Sequence, residues 1–174
     1  NADFALYVGR VDPSKGCDEM FEYFLAAKAN GTGPEKLIVL GKSVMPVPEH
    51  PDILCFGYVD NQTKWNALAA CQYLIMPSRH ESLSLVLLEA WSVSKPVLVN
   101  GESEVLQGQC KRSNGGLWYK NAHEFELLSE WLTHSPEQGE LGAAGYKYLQ
   151  TNYDWLNDSE QVARRLDVVL SDSM

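Results

Sequence analysis

Short apolar runs separated by amphipathic stretches and turn residues set the rhythm of this chain. Phe4-Ala5-Leu6-Tyr7-Val8 opens it as a strand and gives way to a turn-rich loop, Gly9 to Gly16. From Cys17 to Asn30 the apolar positions Met20, Phe21, Phe24 and Leu25 recur at helical spacing, and Gly31-Thr32-Gly33-Pro34 stops that helix. Leu37–Leu40 and Ile53–Phe56 read as short strands. A helix capped by Asp60 or Asn61 runs through Ala70. Tyr73–Met76 is a strand closed by Pro77, which cannot continue a central strand. A helical pattern runs from near Ser84 to near Ser94, and Pro96–Val99 is again strand-like. Asn100 to Asn114 reads as irregular, Gly116–Tyr119 as a strand, and the remainder as helices over Ala122–Thr133, Pro136–Thr151 and Asp154–Leu170. Apolar strands alternating with helices predict an α/β fold: a parallel sheet covered on both faces, in three α/β/α layers, with extra helices at the C-terminal end. The last helix carries Trp155, Leu156, Val162, Leu166 and Val169 on an apolar face, which packs either on this domain or on a partner lobe.

The stretch Tyr73 to Asn100 is a strand–loop–helix–strand unit whose ligand edge is the loop after its first strand. Two carboxylates stand out in it. Glu81 lies in the loop, and Glu89 lies within Leu85-Val86-Leu87-Leu88-Glu89-Ala90-Trp91, a segment apolar on nearly every face. Such a helix is expected to be buried, so Glu89 needs partners. One reading pairs it with an Arg or Lys. The other lets it accept from two adjacent hydroxyls of a diol. Ser82 and Ser84 can cap the helix, leaving amide N–H groups for an anion. An anion, a diol and a loop carboxylate together describe a nucleotide that bears a second polar group.

The first loop places Arg10 and Lys15 at a strand-to-helix corner, which in a parallel sheet faces the same edge as Glu81. Arg10 can bridge two phosphate oxygens and Lys15 adds a mobile charge, so the two could offset a diphosphate without a metal. In an isolated Gly-Arg…Lys-Gly string, solvated surface cations are the competing reading. No GxGxxG and no GxxxxGK[ST] occurs, which removes the usual signals for nicotinamide cofactors and P-loop hydrolysis. Gly41-Lys42-Ser43 reads as a strand-end loop near the ligand edge. His80, beside Glu81, is an exposed loop residue with a catalytic role as the minority reading. There is no GxSxG.

Composition narrows the class. At 174 residues with 45% apolar content, the chain is expected to form one domain, 1–174, with residues 1–3 a remnant of expression. A net charge of −9 argues against a nucleic-acid surface. Cys17, Cys55, Cys71 and Cys110 are scattered, without metal-ligand spacing. They are expected as buried free thiols in a reducing, cytoplasmic compartment, with no metal bound.

Taken together, these loops resemble the C-terminal lobe of a GT-B glycosyltransferase of family 4, the glycosyl transferases group 1. Tyr7-Val8-Gly9-Arg10 through Lys15-Gly16 is similar to that family's first donor-phosphate loop. Phe56-Gly57-Tyr58-Val59-Asp60 is similar to its base-binding loop. Met76-Pro77-Ser78 through Glu81 to Glu89-Ala90 is similar to its E-x7-E signature. The resemblance implies a Rossmann-like sandwich forming half of a GT-B fold, whose N-terminal acceptor lobe is missing here. It implies a UDP- or GDP-sugar donor and no cofactor, with transfer usually retaining and metal-independent. Arg10 and Lys15 would hold the diphosphate, and Glu81 would contact the donor sugar. Gly9 belongs to the phosphate loop. Leu83, Ser84 and Leu85 would offer backbone N–H groups, and Glu89 would take the ribose hydroxyls. Val59 would frame the base, with Lys64 a weaker candidate. The lone fragment is expected to be inactive, and any peripheral membrane association to arise only through the missing lobe. The other readings are a non-catalytic nucleotide-sugar-binding scaffold and a lobe of a nucleotide-sugar epimerase. The chain has Glu81-Ser82-Leu83-Ser84-Leu85 where the family often has glycines, and Ser94 at a common glycine position. A serine resists positive φ, so either the backbone there is unstrained or Ser84 meets the donor through its hydroxyl.

Overall fold

In the computed structural model, residues 3–153 are described. Six strands form one parallel sheet: β1 (Phe4–Val8), β2 (Lys36–Leu40), β3 (Ile53–Cys55), β4 (Tyr73–Met76), β5 (Val97–Asn100) and β6 (Gly116–Tyr119). Their order is β3-β2-β1-β4-β5-β6, with β1 parallel to both β2 and β4. The helices are α1 (Cys17–Ala29), α2 (Asn61–Ala70), α3 (Leu85–Ser92), α4 (Glu104–Ser113), α5 (Ala122–His134) and α6 (Gln138–Asn152). A 3-10 turn at Pro13–Lys15 precedes α1.

Alternation along the strands divides the core into two layers. Ala5, Tyr7, Leu37, Val39, Tyr73, Ile75 and Leu98 point to one face, where Met20, Phe21 and Phe24 of α1 and Phe125 and Leu132 of α5 cover them. Phe4, Leu6, Leu74, Met76, Val97 and Val99 point to the other, beneath Leu68 of α2, Leu87, Leu88 and Trp91 of α3, and Leu106 and Cys110 of α4. Both layers are built of buried apolar side chains, which is what near-continuous apolar strands require. Helix α6 starts beside α5 and packs on α3 and α4, carrying Leu141 against the first layer and Tyr148 and Leu149 against the second.

The three-layer α/β/α sandwich matches the expected fold, with three differences. The expected irregular stretch Asn100–Asn114 contains α4, capped by Ser103, whose hydroxyl accepts from the Leu106 N–H. Its buried stripe is Leu106, Gln109, Cys110 and Ser113. The spacing is helical, but two of the four side chains are polar, which hides the stripe from hydropathy. Helix α3 is not buried all round: Leu87, Leu88, Ala90 and Trp91 are, whereas Leu85 is 62% exposed. Of the cysteines, Cys17, Cys71 and Cys110 are buried and free as expected, but Cys55, at the end of the edge strand β3, is exposed. The helix expected over Asp154–Leu170 lies outside the described residues. Among the described residues no helix is long and apolar enough to cross a membrane.

Candidate functional site

The sheet order reverses between β1 and β4. The chain steps from β1 outward through β2 and β3, then returns to the centre and steps the other way from β4. In an open α/β sheet, the crevice outside the carboxyl ends of the two strands at such a switch point is where ligands bind. Two hollows meet there. One, of about 260 Å³, is walled by Gly9, Arg10 and Lys15 after β1, by Pro77 and Glu81 after β4, and by Leu85 and Val86 of α3. The other, of about 390 Å³, is walled by Gly41 and Lys42 after β2, Tyr58 and Val59 after β3, and Lys64 of α2. Both share Val8, Gly9 and Arg10, so they form one groove.

Glycine makes the floor of this groove. A Cβ on Gly41 would lie 1.9 Å from the Gly9 carbonyl oxygen, so the loops after β1 and β2 touch only because that atom is missing. Gly16 is left-handed at φ +71, and a Cβ there would sit 2.3 Å from the Pro77 carbonyl oxygen. Both its conformation and this approach demand glycine. The 3-10 turn is thereby pressed against the β4–α3 loop, and Lys15 Nζ meets Glu81 Oε1 at 3.0 Å.

Each expected site residue lies on this groove or beside it. Arg10 stands where the two hollows join, its Nε 3.0 Å from Asp12 Oδ2, and its carbonyl accepts a 2.7 Å hydrogen bond from the Tyr7 hydroxyl. The Gly9 N–H is spent on the Leu40 carbonyl at 2.9 Å. Leu83 and Ser84 line the first hollow together with Leu85. Ser84 is the N-cap of α3, with φ −94 and its hydroxyl accepting from the Leu87 N–H. Its backbone is unstrained, which answers the question raised by the missing glycines, and the cap leaves the first N–H groups of α3 at the hollow. Ser82 does not serve as the cap.

Glu89 follows Leu85 and Val86 on the rim side of α3. Its Oε1 accepts a 2.6 Å charge-assisted hydrogen bond from Lys64, so pairing with a lysine holds. The pairing is incomplete, because Oε2 is covered and has no partner. An unmet carboxylate oxygen out of contact with water is costly, and it sits one ion pair away from the hollow that Val59 and Lys64 wall. His80 is exposed.

Sequence reasoning passed over four neighbours of this set: Asp12 as the counter-ion of Arg10, Tyr7 as the anchor of its carbonyl, and Tyr58 and Asn61 on the second hollow. Only Asp12 carried a usable signal, as the residue that caps the turn before Pro13. Tyr7 sits in a strand pattern that says core, which it also is.

Residues 2–127 match the family model described as "Glycosyl transferases group 1". The chain belongs to that family. A relative from Klebsiella pneumoniae, "Uncharacterized 41.2 kDa protein in cps region", is 33% identical over 98 residues, covering 55% of this chain and 26% of its own length. Among solved structures, a sucrose-phosphate synthase from Thermosynechococcus elongatus superposes with a TM-score of 0.76 at 21% identity, over 99% of this chain and 46% of that one. HepE of Anabaena, solved in complex with UDP and also with UDP-glucose, gives a TM-score of 0.76 for the UDP complex at 14% identity, over 97% of this chain and 49% of its own. These structural likenesses show the fold. The chain spans about a quarter of the curated relative and about half of each of these two solved structures.

Proposed function

We propose that this chain is the donor-binding lobe of a glycosyltransferase that takes a nucleoside diphosphate sugar. The observation that carries the reading is one groove at the switch point with complementary chemistry at its two ends. At one end Glu89 offers a covered, unpartnered carboxylate oxygen beside Lys64. At the other, Lys15, Arg10 and the start of α3 surround Glu81. A ribose diol suits the first end, since two hydroxyls can donate to one carboxylate. A diphosphate suits the middle, where Arg10 joins the hollows, and the sugar then extends toward Glu81. That a relative of this fold is solved with UDP and UDP-glucose supports the assignment.

The chemistry follows from where charge grows. Breaking the bond between the anomeric carbon and the diphosphate leaves negative charge on the departing oxygen. Arg10, Lys15 and the amide N–H groups heading α3 are placed to stabilise it, and interactions that strengthen in the transition state are the ones that accelerate transfer. This side-chain neutralisation is the basis for proposing a reaction that needs no metal, and the family resemblance is the basis for proposing retention. The acceptor and the groups that orient it are assigned to a second lobe of the whole protein, so the chain alone is proposed to bind donor without transferring sugar.

Isothermal titration of the chain with UDP, GDP, UDP-glucose and GDP-mannose tests this directly. Weak saturable binding of at least one is expected, with Glu89→Ala and Arg10→Ala each weakening it about tenfold or more, the equivalent of at least about 1.4 kcal/mol. No heat with any of the four, or unchanged affinity in both variants, would overturn the assignment.

A further inference from the structure

Behind Glu81 lies a closed ring of hydrogen bonds and one ion pair that the donor reading does not use. Arg79, two residues before Glu81, donates from Nη2 to Glu19 Oε2 of α1 at 2.5 Å and places Nε 3.2 Å from Glu102 Oε2 in the turn before α4. The other oxygen of Glu19 accepts from Asn100 Nδ2 at 3.0 Å. Asn100, 2% exposed at the end of β5, also donates from Nδ2 to the Pro77 carbonyl at 3.1 Å. Its Oδ1 accepts from the Glu102 N–H at 2.9 Å, which closes the circuit.

We propose that Arg79 is a positioning residue: through this ring it holds the loop carrying Glu81 against Lys15, and so sets the sugar end of the donor site while leaving the nucleoside end untouched. The inference rests on the donor-binding reading above. Three observations support it. The ring ties α1 and the loop after β4 to Asn100, the last residue of β5, which β6 still pairs, and it does so past the point where β4 and β5 part company after Met76 and Val99. It also grips the Pro77 carbonyl, the atom that Gly16 approaches, so ring and 3-10 turn bear on the same peptide. Finally, Arg79 faces two carboxylates, which leaves it little free charge to offer a diphosphate and makes its contribution geometric. Val59, Lys64 and Glu89 share no bond with the ring.

Arg79 is half-exposed, so Arg79→Ala is expected to fold. The test combines a ligand-free signal with a binding comparison. In the full chain with 15N-labelled lysine, the ammonium resonance of Lys15 is expected to move in Arg79→Ala toward its position in Glu81→Ala, where the pair is gone. That of Lys64 should stay fixed and report an intact fold. Arg79→Lys, which can keep one carboxylate but not fork between two, is expected to fall between. In titrations with UDP against UDP-glucose and GDP against GDP-mannose, the affinity for the bare nucleotide should hold within about twofold in Arg79→Ala, while the added affinity due to the sugar falls several-fold. A Lys15 resonance unmoved in Arg79→Ala, or nucleotide and nucleotide-sugar weakened equally, would overturn the proposal. A wild-type chain that binds none of the four sinks the donor reading instead, and the Lys15 resonance then decides the ring by itself.

Discussion

Burial sorts the four thiols into two kinds. Cys71 and Cys110 lie in the second core layer, where burial pushes both thiols up to about 12. Cys17 is raised as well, chiefly by burial. The reactive species is the thiolate, so these three are inert at neutral pH, while Cys55 is exposed on an edge strand. Iodoacetamide at neutral pH is expected to add a single group to the native chain, at Cys55, and to reach the rest only in denaturant. Intact-mass and peptide spectra read this out, and rapid native labelling of Cys71 or Cys110 would contradict the packing. Ser94 offers a second prediction at this scale. It holds φ +56 with an exposed side chain, a conformation that costs a non-glycine residue about 1–2 kcal/mol. Glycine recovers that strain and loses about 0.5–1 kcal/mol of chain entropy. Ser94→Gly is therefore expected to raise the unfolding free energy by roughly 0.5–1 kcal/mol in denaturant melts. Single residues of the candidate site were legible where a charge interrupts a pattern: Glu89 in an apolar helix, Arg10 and Lys15 at a strand-end loop. Tyr7 was not, and Asp12 could be read only as a turn cap and not as the partner of Arg10, because a pairing made by folding leaves no periodicity behind.

Caps and turns decide the elements around the groove. Replacing Gly16 by alanine adds a left-handed penalty and drives a methyl group into the Pro77 carbonyl. A loss of at least about 1 kcal/mol is expected, together with weaker nucleotide-sugar binding, since Lys15 is the adjacent residue. Equal stability and equal binding in Gly16→Ala would mean that the turn does not position the lysine. Ser103→Ala, which removes the buried cap of α4, is expected to cost about 1 kcal/mol by chemical denaturation. These same elements show where pattern reading stops. The strands were visible as apolar runs, and α1 and α2 through spacing and an N-cap. Helix α4 escaped because Gln109 and Ser113 occupy its inward positions and Gly108 interrupts it, so tertiary contact, not hydropathy, selects the helix there. In α3 the pattern overstated burial, because Leu85 faces the groove instead of the core.

At the scale of the molecule, the parallel sandwich followed from alternation of strand and helix, whereas the strand order did not. Nothing in the pattern says that β4 returns to β1, and only that return creates a switch point. The acidic surface also acts as a whole. The Ser14 hydrogen bonds hold Asp12 below the usual carboxylate range, and the Thr63 bonds do the same for Asp60. At Asp52 burial pulls upward, but Lys28 and then Lys36 outweigh it. A carboxyl depressed in the folded chain makes the unfolded chain bind more protons in acid. The stabilisation is therefore present above the ordinary value of 3.8 and lost as pH falls through the folded values. Thermal melts are expected to be flat from neutral down to about pH 5 and to drop below about pH 4. A melting temperature unchanged at about pH 3 would show that these bonds contribute nothing.

The central place of β1 has a kinetic consequence. Both halves of the sheet dock on β1, the first of its six strands in chain order: β2 joins it on one side and β4, distant in sequence, on the other. During synthesis Phe4–Val8 leaves the ribosome with both flanks open, and its second neighbour arrives only after α1, β2, β3 and α2 have emerged. Closure of the sheet is thus the slow, non-local event, in the range of about milliseconds to seconds. Until β4 arrives, one bare edge of β1 is the surface a chaperone would have to shield.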